Sequence, residues 1–445
     1  MTRGRSALIL LLLAAGLGAY IWFVEMKRPD PDAEPKADRV FASLDASQIS
    51  ELTLQAGNGD VTTLNKQGTE WRIATPVVAT ADASEVSGVT TNLATLDISR
   101  VISESSGDLA SYGLDRPRLR VRFTTKGTPQ ELLIGSKTVT GGDVYAKLAN
   151  AARVFLVPAF LEQSLDRTTF QLRDKAIVSV DREAIDRISI IGRPGTIELT
   201  RDGENWRLIQ PVAARADSSA VSTLLTRLVS GQMQALVAEQ PATLDVYGLQ
   251  PPRTTVRVLG GGRTLGEVQV GDPSGEGAVH ARDSARKMVF TVEAALATDL
   301  QRPANEYRAR ELFAFQPFTV TQIVVTRGDA SRTFQKRTTG TGAAATDAWA
   351  QTSPTDATVT PATIDDLVSK LSAARAESFT AAPRSTSAPI LTVAATSAGS
   401  AQERVSFVRD GAQVLAVRDG EPGAALVETA TFEGIVALLD RQPSS

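Results

Sequence analysis

Residues 71–93 read WRIATPVVATADASEVSGVTTNL, and the design returns as WRLIQPVAARADSSAVSTLLTRL at 206–228 and WAQTSPTDATVTPATIDDLVSKL at 349–371. In each, a tryptophan is followed five residues later by proline: Trp71 and Pro76, Trp206 and Pro211, Trp349 and Pro354. Eleven residues after each tryptophan stands a residue suited to cap a helix: Asp82, Asp217 and Thr360. The run opened by each cap carries apolar residues at the same three offsets. These are Val86, Val89 and Leu93, then Val221, Leu224 and Leu228, then Ile364, Leu367 and Leu371. An i, i+3, i+7 stripe buries one face of a helix. Agreement of tryptophan, proline, cap and stripe in three copies makes chance implausible, so the chain reads as a threefold repeat.

The pattern extends in both directions. Upstream, Ile49, Leu52 and Leu54 lead to a Gly57–Gly59 turn, Ile188 and Ile190 to Gly192–Gly195, and Ile323 and Val325 to Gly328. Hairpin turns precede the first two tryptophans at Lys66-Gln67-Gly68 and Arg201-Asp202-Gly203. A Gly/Thr/Ala insertion, Thr338 to Thr346, takes that place in the third copy and lengthens the spacing from 135 to 143 residues. Downstream, Tyr112-Gly113-Leu114 and Tyr247-Gly248-Leu249 precede Pro117 and Pro252, and strands follow. The third copy lacks Tyr-Gly-Leu but keeps Pro389 before Ile390, Leu391 and Val393. Each copy ends in a short apolar helix: Phe160 to Leu165, Ala294 to Leu300 and Phe432 to Leu439.

The expected module is approximately β-β-β-α-β-β-β-β-α, an α+β unit with antiparallel sheet, because hairpin-length links dominate. The expected organisation is a cytoplasmic N-terminus and transmembrane anchor over 1–28, a linker over 29–45, and modules over 46–178, 179–316 and 317–445. Phe170-Gln171-Leu172-Arg173 and Tyr307-Arg308-Ala309-Arg310 run straight into the next first strand. Connectors this short suggest modules packed end to end in a rod or arc.

The W-x4-P, the Asp-capped helix, Y-G-L-x-x-P and the closing Y/F-x-x-R segment together resemble the family catalogued as domain of unknown function 4340. The resemblance spans residues 46–445, and its motifs are structural, so it carries over no catalytic residue. Members are often encoded beside ATP-binding-cassette transporters related to gliding-motility exporters, which implies an auxiliary envelope subunit with transporter membrane subunits as partners. The third module departs from the family pattern at Tyr-Gly-Leu.

Composition bounds the function. With 445 residues, 42% hydrophobic and 22% charged, the chain is long enough for about three folded domains. A net charge of -3 argues against a nucleic-acid partner, which would need a basic face. The absence of cysteine removes disulfides, thiolate metal sites, cysteine nucleophiles and a lipoprotein cysteine. Ala7 to Val24 is an unbroken run of 18 apolar or small residues, ALILLLLAAGLGAYIWFV, about 27 Å long as a helix. Arg3 and Arg5 precede it, so the positive-inside bias keeps the N-terminus cytoplasmic and exports the rest. No A-x-A site ends the run, which favours an uncleaved signal anchor over a cleaved signal peptide. The expectation is a single-pass inner-membrane protein with periplasmic modules.

The sequence offers no residue that reads as catalytic, cofactor-binding or metal-binding. The one histidine, His280, occupies the strand position that Tyr145 holds in the first copy, and reads as a surface or edge residue. Gly135-Ser136-Lys137-Thr138 lacks the upstream glycine of a phosphate-binding loop. Ser284-Ala285-Arg286-Lys287 matches S-x-x-K by letter but reads as a turn, as does Gly260-Gly261-Gly262. Asp202 and Glu204, and Asp410 and Asp419, flank turn glycines. The three tryptophans could stack on sugars, but a fixed place beside a strand and a helix argues for core packing. The function expected is a non-catalytic, membrane-anchored extracytoplasmic scaffold or auxiliary subunit of an ABC-type transport system. The alternative is an envelope glycan- or peptide-binding module.

Overall fold

Leu52 and Leu54 alternate with Glu51 and Thr53 along the first strand, so one face of the sheet is apolar and the other polar. A register shift between Ile49 and Glu51 lets Ile49 turn inward as well. The computed structural model describes residues 38–105, 107–193, 195–339, 346–380, 388–399 and 402–441. The run Ala7–Val24 lies outside the described residues, as does most of the Thr338 to Thr346 insertion. Among the described residues, no helix is long and apolar enough to cross a membrane.

The first module has strands β1 (Ile49–Gln55), β2 (Val61–Gln67), β3 (Glu70–Thr75) and β4 (Ala79–Thr80) before helix α1 (Ala83–Ala94). Then come β5 (Arg100–Ser103), β6 (Leu119–Thr125), β7 (Thr128–Lys137), β8 (Asp143–Leu148) and β9 (Val154–Pro158). Helices α2 (Phe160–Leu165) and α3 (Thr169–Leu172) close it. The second module repeats this with β10 (Arg187–Gly192), β11 (Thr196–Asp202), β12 (Asn205–Gln210), β13 (Ala214–Arg215) and α4 (Ser218–Val229). It continues through β14 (Ala235–Ala238), β15 (Thr254–Gly260), β16 (Arg263–Pro273), β17 (Ala278–Asp283), β18 (Val289–Glu293) and α5 (Ala294–Leu300). The third has β19 (Val320–Arg327), β20 (Ala330–Thr339), β21 (Thr346–Ser353), β22 (Ala357–Thr358) and α6 (Pro361–Ala373). It ends with β23 (Ser378–Thr380), β24 (Leu391–Ser397), β25 (Glu403–Asp410), β26 (Gln413–Arg418), β27 (Ala424–Val427) and α7 (Thr429–Asp440).

The fold is thus α+β, built on three antiparallel sheets of one topology. The first runs β4-β3-β2-β1-β6-β7-β8-β9-β5, and the other two repeat that order. Among the described residues each sheet has nine strands, more than the seven expected from sequence. The additions are β4 and β5 and their counterparts, edge strands two to four residues long, too short to show alternation. Every residue of the three helix stripes is buried, with Val86, Val221, Ile364, Leu93, Leu228 and Leu371 wholly inaccessible. Asp82 and Asp217 cap as their type requires, each carboxylate accepting from two backbone amides of the first turn. Thr360 holds the cap position of α6 without a side-chain bond, and Pro361 opens that helix instead. The peptide bonds before Pro76, Pro211 and Pro354 are cis.

Each module is also stitched at its helix by incoming chain, and the first two by outgoing chain as well. Incoming segments pair with the stretch after the helix. The Ile98 amide donates to the Asp38 carbonyl at 2.8 Å, Ile177 to Gly231 at 3.1 Å, and Leu312 to Ala374 at 3.0 Å. Outgoing segments pair with the short strand before the helix. The amides of the two caps, Asp82 and Asp217, donate to Leu172 and Tyr307, both at 2.8 Å. The chain divides after Lys175 into two compact units, the first holding one sheet and the second the other two.

Candidate functional site

The Tyr-Gly-Leu turns are built alike in the first two modules. Each ends a short 3-10 turn, Ala110–Tyr112 or Asp245–Tyr247, and its glycine takes the left-handed conformation, with φ of 64° at Gly113 and 66° at Gly248. The turn packs against a glycine in β7 or β16. A Cβ at Gly135 would collide with the Tyr112 carbonyl, and one at Gly271 with that of Tyr247. Seated this closely, Tyr112 meets Tyr145 with ring centroids 4.8 Å apart, and Tyr247 meets His280 at 5.1 Å. Beneath the first turn, Leu114, Leu133 and Val154 form a small buried cluster. His280 is therefore half-buried on β17, between β16 and β18, and not at an edge. Its Nδ1 lies 3.1 Å from the Asp272 carbonyl. The ring fills the Tyr145 position.

The most charged constellation of the second unit joins its two modules. Tyr307 is buried and its hydroxyl donates to the Asp299 carbonyl at 2.7 Å, which holds the connector down. Burial first, then the Asp299 charge, push the Tyr307 phenol well above its usual value. The next residue, Arg308, is also buried and its guanidinium lies over the Phe379 ring, 3.9 Å from the centroid. Arg215 on β13 donates from Nη2 to the Glu311 carbonyl at 2.7 Å and from Nε to Glu421 at 3.3 Å. Glu421 also faces Arg418 at 3.1 Å and Arg308 at 3.9 Å, while Glu403 stands 3.7 Å from Arg215. Burial lowers the pKa values of both Arg215 and Arg308, with Glu421 opposing it in each case. The arrangement orients one module on another. It presents neither a nucleophile nor a proton-transfer pair.

The remaining sequence features fall into structural places. Trp71, Trp206 and Trp349 are 9%, 6% and 4% exposed, so none offers a face to a sugar. Trp349 Nε1 donates to Asp365 at 2.8 Å. Gly135 to Lys137 end a strand with no helix following, and Lys137 pairs with Glu162 at 3.2 Å. Ser284 to Lys287 form the turn from β17 to β18, where Arg286 donates to the carbonyls of Ala176 and Ile177. Gly261 and Gly262 turn β15 into β16 at positive φ, and Gly203, Gly411 and Gly420 turn the acidic hairpins in the same way. Among the described residues, no three His, Asp or Glu side chains are grouped to hold a metal ion.

Three copies of one nine-stranded α+β unit define a repeat protein whose shared residues pack, cap and turn. The chain belongs to the family described as Domain of unknown function (DUF4340), whose model matches residues 71–206 and 206–391. No curated protein matches the chain. Among solved structures, the DNA polymerase sliding clamp from Pseudomonas aeruginosa, crystallised with a ligand, is 8% identical over 87% of this chain and 93% of that one, at a TM-score of 0.16. A DnaN sliding clamp (DNA polymerase III subunit beta) from the same organism, bound to griselimycin, is 7% identical at the same coverage, with a TM-score of 0.14. Likenesses this weak carry no argument about the present chain.

Proposed function

We propose that the chain is a non-catalytic scaffold or auxiliary subunit of the cell envelope. Ala7–Val24 anchors it in the inner membrane with the N-terminus cytoplasmic, and the modules engage a protein partner outside the cytoplasm. Membrane subunits of an ABC-type transporter are the first partners to test. One observation carries the reading: the residues that recur from module to module are those that build and join modules. The tryptophans are buried, two of the three caps bond a helix terminus, and the connector arginines Arg173 and Arg308 are buried. Repetition of such units multiplies contact surface without requiring a reactive residue in any of them. Because the three tryptophans are buried, a glycan ligand would have to be held by other side chains.

The test is affinity purification of the full-length chain from gently crosslinked membranes, beside a form that keeps the anchor and lacks the modules. Transporter membrane subunits should be enriched with the full chain only. Recovery of the full chain alone would sink the scaffold reading.

A further inference from the structure

Val139 is fully exposed and Phe160 is 67% exposed, and the fold places them on one tip of the first module. Val139 lies in the loop from β7 to β8, which Thr138 closes by donating its amide to the Asp143 carbonyl at 2.9 Å. The Ala159 amide donates to Gly142 at 3.0 Å, which sets Phe160, the first residue of α2, beside that loop. Below them Glu162 is buried and shared by Lys137, at 3.2 Å, and Arg118. Both cationic side chains remain about half exposed next to the apolar pair.

Internal repetition shows that the fold does not require this pair. In the second module the same loop is one residue shorter: Ser274, in the place of Thr138, donates its amide to the Ala278 carbonyl at 2.9 Å, the Ala294 amide donates to Gly277 at 2.9 Å, and Gly275 and Ala295 stand where Val139 and Phe160 stand. In the third the loop shrinks to Gly411-Ala412 and the helix opens with Thr429-Ala430. What sets the first module apart is its place in the chain. Asp38, where the chain enters it, follows Val24 by 14 residues, a reach of about 50 Å at most. The entry lies beside the tip. Ile98 bonds Asp38, and the adjacent Ser99 hydroxyl donates to Asp143 at the foot of the loop at 2.9 Å.

We propose that Val139 and Phe160 insert into the headgroup boundary of the membrane that anchors the chain, with Lys137 and Arg118 facing the lipid phosphates. The proposal rests on the anchor reading given above. Two apolar side chains and two cations make a weak contact by themselves. A tether of this length turns it into an intramolecular one, and the first module is thereby held in a fixed attitude to the bilayer.

The chain has no cysteine, so one introduced thiol carries a fluorophore to a single place. The full chain is reconstituted into phosphatidylethanolamine–phosphatidylglycerol vesicles with brominated acyl chains, labelled in turn at Val139→Cys, Ser274→Cys and Leu13→Cys. The brominated lipid should quench the labels at 139 and 13 and spare the one at 274, with residue 139 on the order of 5–10 Å into the interface. Phe160→Asp, an exposed change that leaves the core intact, should abolish quenching at 139. Quenching at 13 combined with free access of aqueous iodide to 139 would overturn the insertion and leave the anchor standing. A label at 139 shielded from both quenchers would mean that protein covers the tip, and would overturn it too. Loss of quenching at 13 would remove the anchor and this inference together.

Discussion

Glutamine in place of Glu421 removes one negative charge from the joint between the second and third modules and keeps the side chain's volume. Glu421 is 9% exposed and faces three guanidinium groups, at 3.1 Å (Arg418), 3.3 Å (Arg215) and 3.9 Å (Arg308). At an effective dielectric near 20, each such pair is worth about 4–5 kcal/mol before desolvation is counted. Desolvation offsets much of this when the pair forms, but breaking a buried pair from one side costs about 3–5 kcal/mol. The arginines have no neutral form to adopt near neutral pH. Glu403 remains 3.7 Å from Arg215 and is 30% exposed, so the lower end, about 3 kcal/mol, is expected. Hydrogen exchange on the full chain reads this locally, at the amides of Ala309, Leu312 and Ala376, which bond Arg215, Ala374 and Arg310 across the joint. Their exchange in Glu421→Gln should rise about a hundredfold. Asp440→Asn is the control, because Asp440 and Arg327 are both more than half exposed and such a pair is worth about 1 kcal/mol or less. If exchange at the three amides stays within about threefold of the parent, no more than a surface pair would give, the joint is not held by these charges.

Alanine at Gly135 or Gly271 should destabilise its module by about 1–3 kcal/mol in urea unfolding, because the new Cβ pushes on the Tyr112 or Tyr247 carbonyl. Gly88→Ala, on the exposed face of α1 with nothing near its Cβ, should instead stabilise by about 0.5–1 kcal/mol. Burial works against ionisation of Asp82, but hydrogen bonds from Ser84, the Glu85 amide and Lys175 outweigh it and hold the carboxyl below its ordinary 3.8. A depressed carboxyl stabilises the fold above the unfolded value, and that share is lost as pH falls through the folded one. Asp82→Ala should therefore cost about 1 kcal/mol at pH 7, and the gap from the parent should narrow below pH 3.8. An equal gap at both pH values would show that the charge of Asp82 contributes nothing.

The helix stripes and the first three strands of each module were legible because burial imposes periods of 3.6 and 2 over runs of six residues or more. The edge strands β4 and β5 and their counterparts were not, since two to four residues cannot display a period. Thr360 shows the limit of reading by position: it stands where Asp82 and Asp217 stand, yet Pro361 does the work of starting the helix. At His280 the substitution for Tyr145 was visible, and the partner was too. Tyr112 and Tyr247 recur at the same spacing, so the ring pair could have been read from the repeat itself. The Y/F-x-x-R pattern points to Arg310, which is exposed, whereas the buried arginine is Arg308; Arg215 and Glu421 are 206 residues apart and no local pattern links them. Glu421 lies in Asp419-Gly420-Glu421-Pro422-Gly423, which reads as a turn and folds as one.

Everything proposed for the modules depends on their being held at the membrane surface facing away from the cytoplasm. The most direct test places single cysteines at Ser6, before the apolar run, and at Ser274, in the second module, and treats intact spheroplasts with a membrane-impermeant maleimide. The account predicts labelling at 274 and protection at 6 until the cells are lysed, with the protein pelleting in the membrane fraction. Protection at 274 in intact spheroplasts, or release of the chain into the soluble fraction, would contradict it.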